Sequence, residues 1–193
     1  MNVGLYFGSF NPIHVGHLII AQYMIQRDEI DAVWFVVSPH NPLKKKNTLL
    51  EDYHRLAIVK IAIEDEPRFK AEDIEFKMPQ PSYTIDTLTF LKEKYPEHKF
   101  NLLMGEDNLR GFHKWKNFER ILENHKIYVY PRFEEEPIEH QFKNHSSVVF
   151  CEDVPIMKIS ASYIRELIHN GRSARFLLSD KVFKYVDEMN FYK

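Results

Sequence analysis

Apolar runs too short for helices alternate with longer stretches of helical period along the 193 residues, and that alternation restricts the chain to an α/β architecture. Val3 to Phe7, Ala32 to Val37, Phe69 to Phe76, Phe100 to Met104, Lys126 to Tyr130 and Val148 to Phe150 read as strands. Between the first two, about Val15 to Arg27 carries Leu18, Ala21 and Ile25 on one side, and Leu56, Val59 and Ile63 repeat the period further on. Later helices are expected from Thr84, as N-cap, to about Tyr95, from Ser162 to His169, and from Asp180 to Met189, where Val182, Tyr185, Val186 and Met189 share a face. The pattern predicts a mostly parallel sheet with helices on both faces and right-handed crossovers. Ligands of such sheets lie outside the carboxyl ends of the strands, so the segments that follow strands carry the function. No repeat, low-complexity tract or linker interrupts the chain, which predicts a single domain over 1–193 with a small helical part from about 160.

Charge and cysteine content exclude several classes. With 26 Lys and Arg against 28 Asp and Glu, the formal charge of −2 gives no global basic field. Nucleic acid is therefore not an expected partner, and any anion site must be local. No apolar run approaches the roughly 20 residues of a membrane span, and the opening MNVGLYFGSF reads as strand and turn rather than as a signal peptide. Cys151 is the single cysteine, which excludes an intramolecular disulfide and a cysteine-based zinc cluster. A cytoplasmic setting is expected. Nothing in the sequence sets an oligomeric state.

The segment GSFNPIHVGH, Gly8 to His17, joins the first strand to the first helix and has the composition of a phosphate loop. Gly8 permits close backbone approach, the Ser9 hydroxyl can donate, and Pro12 fixes the chain direction. His14 and His17, three apart, fall on one face at the positive end of a helix, with Gly16 leaving room between them. Two imidazoles so placed could stabilise charge on a phosphate undergoing displacement. Each residue alone is compatible with an ordinary turn; the whole string after a strand points to an anion site. It is neither a Walker loop nor a GxGxxG fingerprint. Zinc on the two histidines is disfavoured by their spacing and the lack of a third ligand nearby.

A second anion site is expected at ISASYIREL, Ile159 to Leu167, where Ser160 and Ser162 enter a helix and Arg165 follows one turn later. Taken alone, such a segment is more often a plain N-cap with a solvated arginine. Three more segments follow strands or open helices: the basic run Lys44, Lys45 and Lys46; PSYTIDTL, from Pro81 to Leu88; and GEDNLRGFHKW, from Gly105 to Trp115. Asp107 could hydrogen-bond ribose hydroxyls, and Trp115 could stack on a flat ring or simply fill the core.

These motifs together resemble the HxGH-bearing nucleotidyltransferase superfamily and, within it, the bacterial nicotinate-mononucleotide adenylyltransferases, over nearly the whole chain. The family's opening motif usually reads GGTFDPIHxGH, so Phe7, Ser9 and Asn11 depart from it while His14, Gly16 and His17 match. The resemblance implies a Rossmann-like doubly wound α/β fold and transfer of AMP from ATP to nicotinate mononucleotide, with Mg²⁺ held mainly through ATP phosphates and water. It implies ATP contact at Gly8, Ser9, Phe10, His14, Gly16, His17, Ile159, Ser160, Ser162 and Arg165, with His14, His17 and Arg165 catalytic. Lys45, Tyr83, Thr84, Asp107 and Trp115 would contact the nicotinate nucleotide, and no protein metal ligands are expected. An adenylyl or cytidylyl transferase for another phosphorylated acceptor, such as phosphopantetheine, is the nearest alternative. PSYTIDT and the Gly105 to Trp115 segment argue against it. A nucleotide-sensing module without turnover is a third reading, disfavoured by intact His14, His17 and Arg165.

Overall fold

The structure, a computed structural model, describes residues 1–39, 49–133 and 141–193. Among these, six strands form one sheet in the order β3-β2-β1-β4-β5-β6, and every neighbouring pair is parallel. The strands are β1 (Asn2–Gly8), β2 (Ala32–Val37), β3 (Phe69–Glu72), β4 (Lys99–Gly105), β5 (Ile127–Tyr130) and β6 (Val148–Phe150). The helices are α1 (Val15–Met24), α2 (Asp52–Ile63), α3 (Thr84–Lys94), α4 (Glu106–Arg110), α5 (Phe118–Asn124), α6 (Ala161–His169) and α7 (Asp180–Glu188). This is the Rossmann-like doubly wound α/β order, with its switch point between β1 and β4. Among the described residues no helix is long and apolar enough to cross a membrane.

Alternation within the strands divides the core between the two faces. Along β2, Val33, Phe35 and Val37 join Ala21 and Met24 of α1, Ile58 and Val59 of α2, and residues of α6 and α7 on one face. Ala32, Trp34 and Val36 join Leu88 and Leu91 of α3, Leu109 of α4 and Ile121 of α5 on the other. Side chains of successive strand residues point to opposite faces, so an all-apolar strand such as AVWFVV is buried on both.

Several boundaries differ from the sequence expectation. The apolar period of β3 runs on through Ile74 and Phe76, but the strand stops at Glu72. Asp73, at φ −107° and ψ 15°, turns the chain into a 3₁₀ turn over Ile74–Lys77. Thr84 is the first residue of α3 and Tyr83 is its N-cap. Helix α1 closes at Met24, after which the Gln26 and Arg27 amides bond back three residues, to Tyr23 and Met24. Met189 caps α7 and is 43% exposed, while Val182 and Val186 hold the buried face. Helices α4 and α5, of five and seven residues, have no counterpart in the sequence reading because neither is long enough to display a period.

Candidate active site

The loop leaving β1 is held by aromatic packing. Phe10 adopts φ +45°, a region a bulky residue seldom visits, and its ring is buried edge-on against Tyr6, Phe35 and His17. A Cβ on Gly8 would lie 2.9 Å from that ring, so glycine is required there for close approach. Phe10 itself points into the core, 2% exposed, leaving only its backbone for a ligand. The chain then passes through Pro12 to His14, which is extended at φ −140° and N-caps α1.

His14 and His17 come together as the sequence predicted. Their ring centroids are 3.8 Å apart at an interplanar angle of 31°, and a Cβ on Gly16 would lie 3.0 Å from His14 Nδ1. The His14 amide donates to His17 Nδ1 at 3.2 Å, which makes that nitrogen an acceptor and puts the His17 proton on Nε2. Burial, with a smaller contribution from the Arg132 guanidinium, pushes His14 down to a pKa of about 4. Burial, then His14, then Arg132 hold His17 well below its ordinary value. At neutral pH the pair is therefore uncharged and donates N–H groups at the positive end of α1.

The second predicted segment closes on the same loop. Ser160 caps α6 by accepting the Tyr163 amide at 3.2 Å. Arg165 donates from Nη1 to the Asn11 carbonyl at 2.7 Å and from Nη2 to Ser162 Oγ at 3.1 Å. Its buried Nε has no partner among the described residues. Ile159 lines a narrow recess with His14, Gly16, His17 and Arg132, so the two anion segments form one site.

A cavity of about 540 Å³ opens beside this site, at the carboxyl ends of β1 and β4, where Gly8, Ser9, Met104, Trp115, Ser162 and Arg165 meet. Its volume suits a nucleotide-sized ligand. Trp115 backs onto the fully buried Phe112 at 5.2 Å between ring centroids while lining this space, so it serves both core and cavity. Asp107 does not line the cavity; its Oδ1 lies 3.4 Å from Nε of Arg132, which lines the recess of the two histidines. The close packing at Gly105, where a Cβ would meet Asp107 Oδ1 at 2.3 Å and Arg132 Cγ at 3.0 Å, brings that pair together. Tyr83 and Thr84 do not line the cavity; Tyr83 is 44% exposed. Lys116, next to Trp115, sits 4.8 Å over the Tyr83 ring and pairs with Asp86 at 2.8 Å, which ties the α3 entrance to the cavity rim. Lys44, Lys45 and Lys46 lie outside the described residues.

A cytidylyltransferase-like family model matches residues 5–167. The chain is 56% identical to a probable nicotinate-nucleotide adenylyltransferase of Flavobacterium psychrophilum over 193 residues, 100% of both chains. The chain belongs to the nicotinate-nucleotide adenylyltransferase family. Another member, from Cytophaga hutchinsonii, is 47% identical over 192 residues, 100% of this chain and 98% of the relative. The fold is also that of Plasmodium falciparum nicotinic acid mononucleotide adenylyltransferase complexed with NaAD, at a TM-score of 0.80 and 19% identity, covering 99% of this chain and 97% of that one.

Two residues that the sequence reading passed over, or left without a role, organise the site of this adenylyltransferase-family chain. Arg55 is 0% exposed. It donates from Nη1 to the Ser9 and Ser38 carbonyls at 2.5 and 2.7 Å, from Nε to the Leu50 carbonyl at 3.0 Å, and from Nη2 to Asp52. One guanidinium thus joins the loop after β1, the loop after β2 and the entry to α2. Asn11, where the family's aspartate is replaced, is 3% exposed and uses Oδ1 to accept the Leu50 amide at 3.2 Å. A buried arginine with four acceptors was the only available signal for Arg55, and acceptor placement is invisible in a sequence.

Proposed function

We infer that the chain transfers AMP from ATP to the 5′-phosphate of nicotinate mononucleotide, giving nicotinate adenine dinucleotide and pyrophosphate. The observation that carries this reading is the close, uncharged pair His14 and His17, on the same loop as Gly8 and Ser9, which with Arg165 line a nucleotide-sized cavity over the β1–β4 switch point. The full-length relatives supply the acceptor.

The acceptor phosphate is already ionised at neutral pH, so no protein nucleophile is needed. One of its oxygens bonds to the ATP α-phosphorus as the bond from that phosphorus to the bridging oxygen breaks, and the electron pair leaves on pyrophosphate. The protein positions the two reactants and stabilises charge. His14 and His17 offer neutral donors that lose little solvation when charge develops, and Arg165 holds the leaving phosphates with a permanent charge. Trp115 provides a flat face for the pyridine ring, while Tyr83 and Thr84 stand outside the cavity at the α3 entrance, with Lys116 over the Tyr83 ring. Among the described residues no three His, Cys, Asp or Glu side chains converge to hold a metal. Mg²⁺ would be carried on the phosphates and water, where it would supply charge neutralisation.

Pyrophosphate release with ATP plus nicotinate mononucleotide, run beside nicotinamide mononucleotide, tests the reading. Turnover is expected with the acid and should fall by about 10²–10³-fold in His17→Ala, the loss typical of one preorganised donor. No turnover with the acid, or near-normal turnover in His17→Ala, would overturn it.

A further inference from the structure

Asn11 links the phosphate loop to a part of the chain remote in sequence. Its carbonyl holds Arg165 at 2.7 Å, while its side-chain Oδ1 accepts both the Leu50 amide at 3.2 Å and the Tyr192 hydroxyl at 2.8 Å. Tyr192 follows α7 and reaches the loop through a built path. The Phe191 amide bonds back to the Val186 carbonyl at 3.0 Å. The Phe191 ring lies 4.7 Å from His54 of α2 and 5.9 Å from Tyr185. Asn190 and Tyr192 stand at φ 54° and 66°, conformations that residues other than glycine adopt only when surrounding contacts hold them.

The geometry points to Tyr192 as a positioning residue of the ATP site: by donating to Asn11 Oδ1 it fixes the residue whose carbonyl aims Arg165 at the phosphates. This rests on Arg165 meeting ATP, as in the function inferred above. Burial raises the Tyr192 pKa, so the hydroxyl keeps the proton it donates. The departure at position 11 also finds a reason here. A carboxamide oxygen accepts two donors without placing a negative charge beside Arg165, whose full charge stays available to a triphosphate.

Tyr192→Phe keeps the ring and removes only the donor. Calorimetric titration with ATP, without acceptor, is expected to show about a three- to tenfold weaker Kd, the range of one hydrogen bond. The KM for ATP should rise in step and exceed any fall in kcat, with the KM for nicotinate mononucleotide unchanged. In an Asn11→Ala background the same substitution should add nothing. A general packing role would instead lower thermal stability and weaken both substrates alike. That result, an unchanged Kd for ATP, or full multiplication of the two substitutions would overturn the assignment. Should Tyr192→Phe not fold, Asn11→Ala carries the same expectation of weakened ATP with the acceptor untouched. If the unaltered protein binds ATP yet releases no pyrophosphate, the inferred function fails while the Kd comparison still decides the role of Tyr192.

Discussion

A histidine with a pKa of about 4 in the folded protein and near 6.5 in the unfolded chain takes up protons more readily when unfolded. His14 therefore makes no difference to stability above pH 6.5, lowers it as pH falls from 6.5 toward 4, and adds no further loss below that. His17 is shifted in the same direction and steepens the fall within that window. Denaturant unfolding at pH 7.0 and 4.5 should show His14→Gln losing less stability than the unaltered protein, by about 2 kcal/mol. Comparing the two proteins cancels carboxylates common to both, including the buried Glu75, whose raised pKa acts in the opposite sense. Identical pH dependence in the variant would remove the desolvated imidazole as the cause. The histidine pair was legible from a spacing of three and a glycine between. Its neutrality was not, because Arg132 and the burying side chains come from other segments.

Helix α2 marks how far an element can be read from its period. Leu56, Val59 and Ile63 were the expected inner face, yet Leu56 is only half-buried and the neighbouring Arg55 is fully enclosed. Hydrophobic periodicity assigns a charged residue to water, whereas here the guanidinium meets carbonyls from three segments and a carboxylate. Arg55→Met should cost about 3–5 kcal/mol in equilibrium unfolding, because the apolar replacement leaves the Ser9, Ser38 and Leu50 carbonyls without their shared donor. A loss under about 1 kcal/mol would mean that water or rearranged loops replace it. Strands are the better-read elements of this chain. The buried run of β2 has the predicted ends, since an all-apolar strand needs no external partner to be recognised. Helices α4 and α5 are too short to carry much signal of their own.

At the scale of the whole molecule, the alternation that restricted the fold also located the crevice, because a doubly wound sheet places ligands where its strand order reverses. What local sequence could not supply was the meeting of segments. Arg165 and Asn11 are 154 positions apart, and Tyr83, expected at the acceptor, stands at the rim and joins the cavity through Lys116. Under the inferred function, the triphosphate would take the side built by the Gly8 to His17 loop and α6, and the pyridine nucleotide the side built by β4 and Trp115. These two sides have separate supports: Arg165 is held by Asn11 and Ser162, and Trp115 packs on Phe112. Binding losses on the two sides should therefore be additive. Arg165→Ala is expected to weaken ATP at least tenfold, the scale of a lost charge-assisted hydrogen bond, and Trp115→Ala to weaken nicotinate mononucleotide by about two- to tenfold, the scale of an aromatic contact. In the double variant each Kd, titrated with one ligand at a time, should equal that of the matching single variant. A Trp115→Ala effect on ATP as large as its effect on the acceptor would place both nucleotides against the same wall, and the division at the switch point would fall with it.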